Sequence, residues 1–285
     1  MLHQFELEKI VHIRGVDHPE SIGIGPDGEA YTTGTGCQVY RINLETNQGE
    51  QFASTDQRCL GSVVDADGNL YVAHTNADVL KITPAGDVSV YATAPGGDNF
   101  KCANYPAFDK AGNMYLSESG DWSGNVNGRI LKIPSGGGVA QPWYPSSVDT
   151  PNAIALNADE TFLYFVETFG SAIARIEINA DGSAGEFERV VHMPKHIPDG
   201  IAFDTDGRLW IACHRPDAIY CYDMNAKLMH VFCEDWRGEA LRGPTDVAFA
   251  GPDRDILLAA SLDNLTVHRF DGVGAKGLKL NHPQL

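Results

Sequence analysis

One phrase recurs along this chain: an apolar residue, a turn rich in Asp and Gly, then an apolar run carrying an aromatic or a leucine. The first copy reads Ile24-Gly25-Pro26-Asp27-Gly28-Glu29-Ala30-Tyr31, and the second reads Val64-Asp65-Ala66-Asp67-Gly68-Asn69-Leu70-Tyr71. Copies follow at 108–115, at 156–164 with one extra residue, at 203–210 and, degenerate, at 249–257. Their anchors, Tyr31, Tyr71, Tyr115, Tyr164, Trp210 and Leu257, lie 40, 44, 49, 46 and 47 residues apart. Asp-Gly between apolar runs favours a hairpin, because both central residues of the tight turn take positive φ. A third alternating run follows each hairpin, such as Val79-Leu80-Lys81-Ile82, and a weaker fourth, such as Val88-Ser89-Val90-Tyr91, closes most units. Six units of about four strands at this period describe an all-β, six-bladed β-propeller. A doubly wound fold would need amphipathic helices of about ten or more residues between strands, and none is found. No fourth strand is evident for the sixth unit after Leu280, whereas Phe5 to Ile13 alternates like a strand. That segment is predicted to pair with the last blade and close the ring, which removes exposed sheet edges. The whole chain, 1–285, is expected to be a single propeller domain.

The repeat also aligns the chain with itself. Eleven residues before each anchor, or twelve in the longer fourth unit, stand Glu20, Leu60, Asn104, Asn152, Asp199 and Asp246. In a propeller this position opens the innermost strand of each blade, so the six are expected to surround the central channel at one level. Three carboxylates and two amides at one register are the donors a hard divalent cation takes. Without a cation between them the carboxylates would repel. Capping of strand starts by Asp and Asn explains one or two such residues, but five poorly. Prolines precede Glu20, Asn152 and Asp199 and restrain the presenting loops. The ends of the second strands supply His74, Glu118, Glu167 and His214. A solvated loop residue is the plainer reading of each, with His74 and His214 the better candidates for substrate contact. The long loop 118–128, with its glycines and Trp122, reads equally as a lid over the pocket or as a surface insertion.

Composition excludes several classes of function. The net charge is −17 and no Lys/Arg cluster exists, so no nucleic-acid partner is expected. No run of about 18 apolar residues is present to span a membrane. The N-terminus lacks the basic and apolar regions of a signal peptide. The six cysteines show no CxxC spacing. They read as reduced thiols of a cytoplasmic protein and disfavour structural zinc. A serine hydrolase is disfavoured because no Gly-Xaa-Ser-Xaa-Gly elbow occurs.

Over nearly its whole length the sequence resembles the senescence marker protein (regucalcin), gluconolactonase and luciferin-regenerating enzyme family. The marks are His18-Pro19-Glu20, Pro151-Asn152-Ala153-Ile154-Ala155, Pro198-Asp199-Gly200-Ile201-Ala202-Phe203 and Gly243-Pro244-Thr245-Asp246-Val247-Ala248-Phe249. The resemblance implies a six-bladed propeller with one divalent metal on Glu20, Asn152 and Asp199. Ca²⁺ is the expected ion, with Zn²⁺, Mg²⁺, Mn²⁺ and Fe²⁺ as alternatives. Related diisopropyl fluorophosphatase and paraoxonase use a similar set, which Glu20, Asn104, Asn152 and Asp199 match. The implied activity is metal-dependent hydrolysis of a small lactone or ester, of a sugar acid or otherwise, at the channel mouth. The metal would polarise the carbonyl, and Asp199 would orient or deprotonate the attacking water. Asp246 would be a second base or an outer partner of the site. Sugar-lactonase members carry Arg-Xaa-Asn-Asp where this chain reads Cys102-Ala103-Asn104-Tyr105, so the substrate-binding Arg and the following Asp are absent. Lys101, one residue away, is a candidate substitute, and Cys102 and Tyr105 suggest a less polar pocket. The candidate substrate contacts are therefore Asn104, Lys101, Tyr105, Asp246, His74, His214 and Trp122. A phosphotriesterase of the fluorophosphatase type and a non-catalytic calcium-binding or interaction propeller are the competing readings. Monomer and homo-oligomer are both left open.

Overall fold

The computed structural model describes residues 3–285. Six β-sheets follow one another along the chain. Their first strands are Pro19–Ile24, Cys59–Val64, Ala103–Phe108, Pro151–Leu156, Ile197–Phe203 and Pro244–Ala250. Each first strand packs against the first strands of the two neighbouring sheets, the sixth against the first. The sheets are thus six blades in a ring, with their first strands innermost. No α-helix occurs among the described residues, and no helix is long and apolar enough to cross a membrane.

The recurring phrase is a hydrogen-bonded hairpin. In blade 2, Asp65 Oδ1 accepts the backbone N–H groups of Asp67 and Asn69, and its Oδ2 accepts the Tyr71 hydroxyl at 2.9 Å. Blade 5 repeats the arrangement with Asp204 and the Trp210 indole N–H, also at 2.9 Å. Gly207, at φ 75°, supplies the left-handed residue of that turn. The anchor rings then wedge the blades together. Tyr71 meets Phe108 edge-on at 5.2 Å, Tyr164 meets Phe203 at 5.0 Å, and Trp210 meets Phe249 at 5.4 Å. Each is an edge-to-face contact with the innermost strand of the next blade. In blades 2 and 5 one aromatic therefore serves both the turn and the blade-to-blade core.

The ring closes as the alternation near the N-terminus predicted, but with a shorter strand. Only Val11–Ile13 pairs, antiparallel, with Val267–Phe270 of blade 6. Leu7–Lys9 forms a 3-10 turn instead of extending the strand. Phe5 leaves the ladder to pack edge-on against Phe270, with ring centroids 5.1 Å apart. Burial of that ring outweighs continued strand pairing at an outer edge. Blade 3 has an outer strand of only Gln141–Pro142, and Gly138–Val139 beside it pairs in parallel with the outer strand of blade 2.

The C-terminal segment crosses one end of the channel. Leu278 N–H bonds Phe203 O, Asn281 Nδ2 bonds Phe108 O, His282 bonds Val64 O, and Pro283 O accepts Ala66 N–H. These contacts tie blades 5, 3 and 2 together beneath a mainly apolar cavity of about 130 Å³. The opposite end opens into a cavity of about 930 Å³.

Candidate active site

Every innermost strand carries a β-bulge near its start. In each pairing with the second strand, one extra residue is inserted at this point: between Pro19 and Ser21, Cys59 and Ser62, Ala103 and Pro106, Pro151 and Ile154, Pro198 and Ile201, and Pro244 and Asp246. A bulge turns a side chain out of the pleat, and here it turns one toward the open end of the channel in successive blades. Glu20, Leu60, Asn104, Asn152 and Asp199 all stand within these bulges and all line the larger cavity. The strands approach closely there. A Cβ on Gly200 would lie 2.3 Å from Asp246 Cα, so no other residue fits beside Asp199.

Asp246 does not join them. The regular ladder of blade 6 runs one pair further before its bulge, so the bulged residue is Thr245 and Asp246 pairs regularly with Ala260. Asp246 consequently faces the channel below the cavity. There it accepts Ile22 N–H at 2.8 Å, Tyr105 OH at 2.9 Å and Val247 N–H at 2.8 Å. Tyr105 is thereby held in the channel with its hydroxyl on Asp246, and it lines the closed cavity rather than the open one. Neither Tyr105 nor Asp246, both expected as substrate contacts, lines the open cavity.

His74 is also withdrawn. It is buried, and its Nε2 lies 3.2 Å from Gln57 N and 2.9 Å from Gln57 O. Glu118 and Glu167, at the equivalent place in blades 3 and 4, do a related job. Glu118 accepts Lys101 N–H at 2.8 Å and Glu167 accepts Asp149 N–H at 3.3 Å, and each also binds an arginine, Arg129 or Arg189. All three side chains bracket the backbone three residues before the bulged residue of their blade. Lys101, Trp122 and His214 do line the open cavity. Gly120, Asp121 and Trp122 bring loop 118–128 to it, with Trp122 anchored by Nε1 donating to Cys102 Sγ at 3.3 Å.

The two amides are oriented by hydroxyls that the repeat alone did not reveal as functional. Asn104 Nδ2 donates to Ser119 Oγ at 2.8 Å, and that hydroxyl donates to Pro151 O of the next blade at 2.8 Å. Asn152 Nδ2 donates to Thr168 Oγ1 at 3.3 Å, which donates to Pro198 O at 3.1 Å. Ser119 and Thr168 both lie four residues after their anchors, so the same counting that found the ring would have found them. With the amide nitrogens engaged, the amide oxygens are left as acceptors.

The carboxylates are under strong electrostatic pressure. Burial, then the Glu20 and Asp246 charges, push the Asp199 carboxyl well above its usual range, against Arg58 and an Asn152 hydrogen bond. Burial also raises Glu20, despite Arg58 Nη2 donating to its Oε2 at 3.1 Å. Burial raises Asp246 to about 7 against its three hydrogen bonds. A site that disfavours its own negative charge in this way suits an added cation. Two carboxylates and two amide oxygens form a hard, all-oxygen donor set, the chemistry of Ca²⁺ or a similar ion. Among the described residues, no group of three or more His, Cys, Asp or Glu has metal-holding geometry, so any centre here is a mixed carboxylate–amide one.

Arg58 is the lining residue that sequence reasoning missed. It stands two residues before Leu60, as Cys102 stands two before Asn104. It thus carries an arginine at the register of the missing family Arg, one blade earlier.

Residues 26–263 match the family model described as the SMP-30/Gluconolactonase/LRE-like region. The chain belongs to this family. Within it, the lactonase drp35 of Staphylococcus saprophyticus is 22% identical over 241 residues, which is 80% of this chain and 74% of that one. A gluconolactonase from Xanthomonas campestris superimposes with a TM-score of 0.77 at 16% identity, covering 91% of this chain and 88% of that one. A calcium-binding regucalcin from Agrobacterium tumefaciens gives 0.76 at 17% identity, covering 100% and 98%. At these identities the structural likeness establishes the six-bladed fold.

Proposed function

We propose that this chain is a metal-dependent hydrolase of a small lactone, acting in the open cavity at the channel mouth. The observation that carries the reading is the convergence of Glu20, Asn104, Asn152 and Asp199 on one cavity. Relatives that bear the name lactonase support hydrolysis of this class. Glu20, Asn152 and Asp199, with Asn104, would hold one divalent ion, and the calcium-binding regucalcin favours Ca²⁺. When bound, such an ion supplies Lewis-acid polarisation of the lactone carbonyl.

The chain's own groups account for the remainder. Asp199, ionised once its repulsion with Glu20 is relieved, takes a proton from the attacking water. The water oxygen bonds the carbonyl carbon, the ring C–O bond breaks, and the proton passes to the departing ring oxygen. Burial lowers the His214 pKa, which favours the neutral imidazole, able to accept or donate a hydrogen bond at the cavity wall. Asp246 contributes from beneath as an outer partner through Ile22 and the field on Asp199.

The test is metal analysis of the purified protein and a panel of aldonolactones, aliphatic lactones and one organophosphate, with and without chelator. Chelator-sensitive lactone turnover is expected. Turnover of the organophosphate alone would replace this reading with a phosphotriesterase. Bound metal with no turnover of any kind would replace it with a binding propeller.

A further inference from the structure

The cavity lining combines cations with aromatic rings. Among the described residues its Lys and Arg side chains are Arg58 and Lys101, from blades 2 and 3, in a chain of net charge −17. Arg58 commits a single donor, to Glu20 Oε2 at 3.1 Å, which sets the guanidinium beside a candidate metal ligand at the cavity surface. Its backbone is fixed: Thr75 donates both N–H and Oγ1 to Arg58 O, at 3.0 and 3.2 Å, and His74 brackets the preceding Gln57. Lys101 has no side-chain hydrogen bond or ion pair to any described residue, while its backbone N–H is held by Glu118. Both are cations on rigid supports with unspent donors.

Part of the lining is apolar and aromatic. Trp122 and Phe169 meet edge-on with centroids 5.5 Å apart, yet remain 41% and 48% exposed. Ile197 adds a third exposed apolar side chain to the same cavity. Several groups able to recognise hydroxyls are engaged, although the Asn76 and His214 side chains, which also line the cavity, have no hydrogen bond to a described residue. The amide nitrogens of Asn104 and Asn152 are on Ser119 and Thr168, Thr168 donates to Pro198 O, Thr75 to Arg58 O, and Asp121 accepts from Ser123. A polyhydroxylated sugar lactone would lay some of its hydroxyls on the exposed apolar faces of Trp122, Phe169 and Ile197, which offer them no partner.

We propose that the preferred substrate is an amphiphilic lactone whose carboxylate is held by Arg58 and Lys101 and whose apolar body lies on Trp122 and Phe169. This rests on the lactone-hydrolase reading and adds to it the substrate class. A planar guanidinium fork matches a carboxylate, and a free ammonium adds a second charge-assisted bond. The apolar body gains from covering two exposed rings.

Binding tests the proposal without requiring turnover. The intact protein with Ca²⁺ is titrated calorimetrically with N-benzyl pyroglutamate, a lactam acid that resists hydrolysis, and with its neutral carboxamide. The acid is expected to bind about tenfold tighter, a preference that falls to about threefold or less in Arg58→Ala and is partly kept in Arg58→Lys. Lys101→Ala, which breaks no side-chain hydrogen bond or ion pair to a described residue, should also cut the preference and keeps the test readable if Arg58→Ala perturbs folding. Trp122→Ala should weaken acid and amide equally. Equal binding of acid and amide by the unaltered protein, or an unchanged preference in both cation variants, overturns the proposal. Turnover of the γ-lactone of hydroxyglutarate, its methyl ester and gluconolactone separates the two readings. Fastest hydrolysis of a neutral lactone overturns the carboxylate assignment and leaves the hydrolase standing. A binding preference for the acid with no lactone turnover does the reverse.

Discussion

Asp199, half-buried, and Asp246, fully buried, both stand at the openings of innermost strands, yet only Asp199 faces the cavity. Asp199→Asn should lower lactone turnover by at least about a hundredfold. The same change should leave the melting temperature equal or higher, because it relieves repulsion with Glu20. Steady-state kinetics and a thermal melt on one preparation check both halves. Asp246→Ala should instead cost roughly 1–3 kcal/mol in urea denaturation, because Ile22 N–H and Tyr105 OH lose a buried acceptor. The contrast shows what counting along a repeat can do. It finds Glu20, Asn104, Asn152 and Asp199, because their hairpins share one geometry. It misplaces Asp246, because the length of a ladder before its bulge is decided by pairing that spacing does not encode. Arg58 was illegible for another reason. Its repeat equivalents include His18, Cys102 and Ile197, so no shared chemistry marks the position.

Loops and strand ends carry the remaining precision. Ser119 joins the side chain of one blade's bulge to the backbone of the next, so it positions Asn104 and Pro151 together. Ser119→Ala should weaken Ca²⁺ binding by about tenfold, read by calorimetry, with little loss of stability. The loop after blade 5 is organised by Asp235, which accepts backbone N–H groups from Arg237, Gly238, Glu239, Ala240 and Leu241. Burial works to raise the Asp235 pKa, but those donors outweigh it and the net shift is downward. A carboxyl depressed by folding stabilises above its unfolded pKa, and that contribution is lost as pH falls through the folded value. Asp235→Asn should therefore flatten the acid limb of the stability curve, measured by denaturation from neutral pH down to about pH 3. The type of each element was legible from the Asp-Gly turns and the alternation of apolar residues. The roles of His74, Glu118 and Glu167 were not, since a polar residue at a strand end looks the same whether it faces solvent, substrate or a neighbouring backbone.

At the scale of the whole ring, the two ends of the channel differ because the C-terminal segment crosses one of them. Deleting residues 277–285 would remove the bonds to Phe203, Phe108 and Val64 and uncover the apolar cavity. The expected result is a melting temperature lower by roughly 5 °C or more, with faster amide exchange along the innermost strands. An unchanged melt would mean that the segment is merely laid on the surface. Six blades in a ring could be foreseen from the period, because each unit must cover its neighbour's apolar face. The crossing segment could not, having neither repeat nor alternation. Closure itself has a consequence for synthesis. His12 of the closing strand and its ladder partner His268 are 256 residues apart, so Val11–Ile13 leaves the ribosome long before Val267–Phe270. At roughly 5–20 residues per second, the early strand waits on the order of tens of seconds with its backbone unpaired. Until then the nascent chain is an open arc with two bare edges, and a stall in translation after the fifth blade would leave it in that aggregation-prone form.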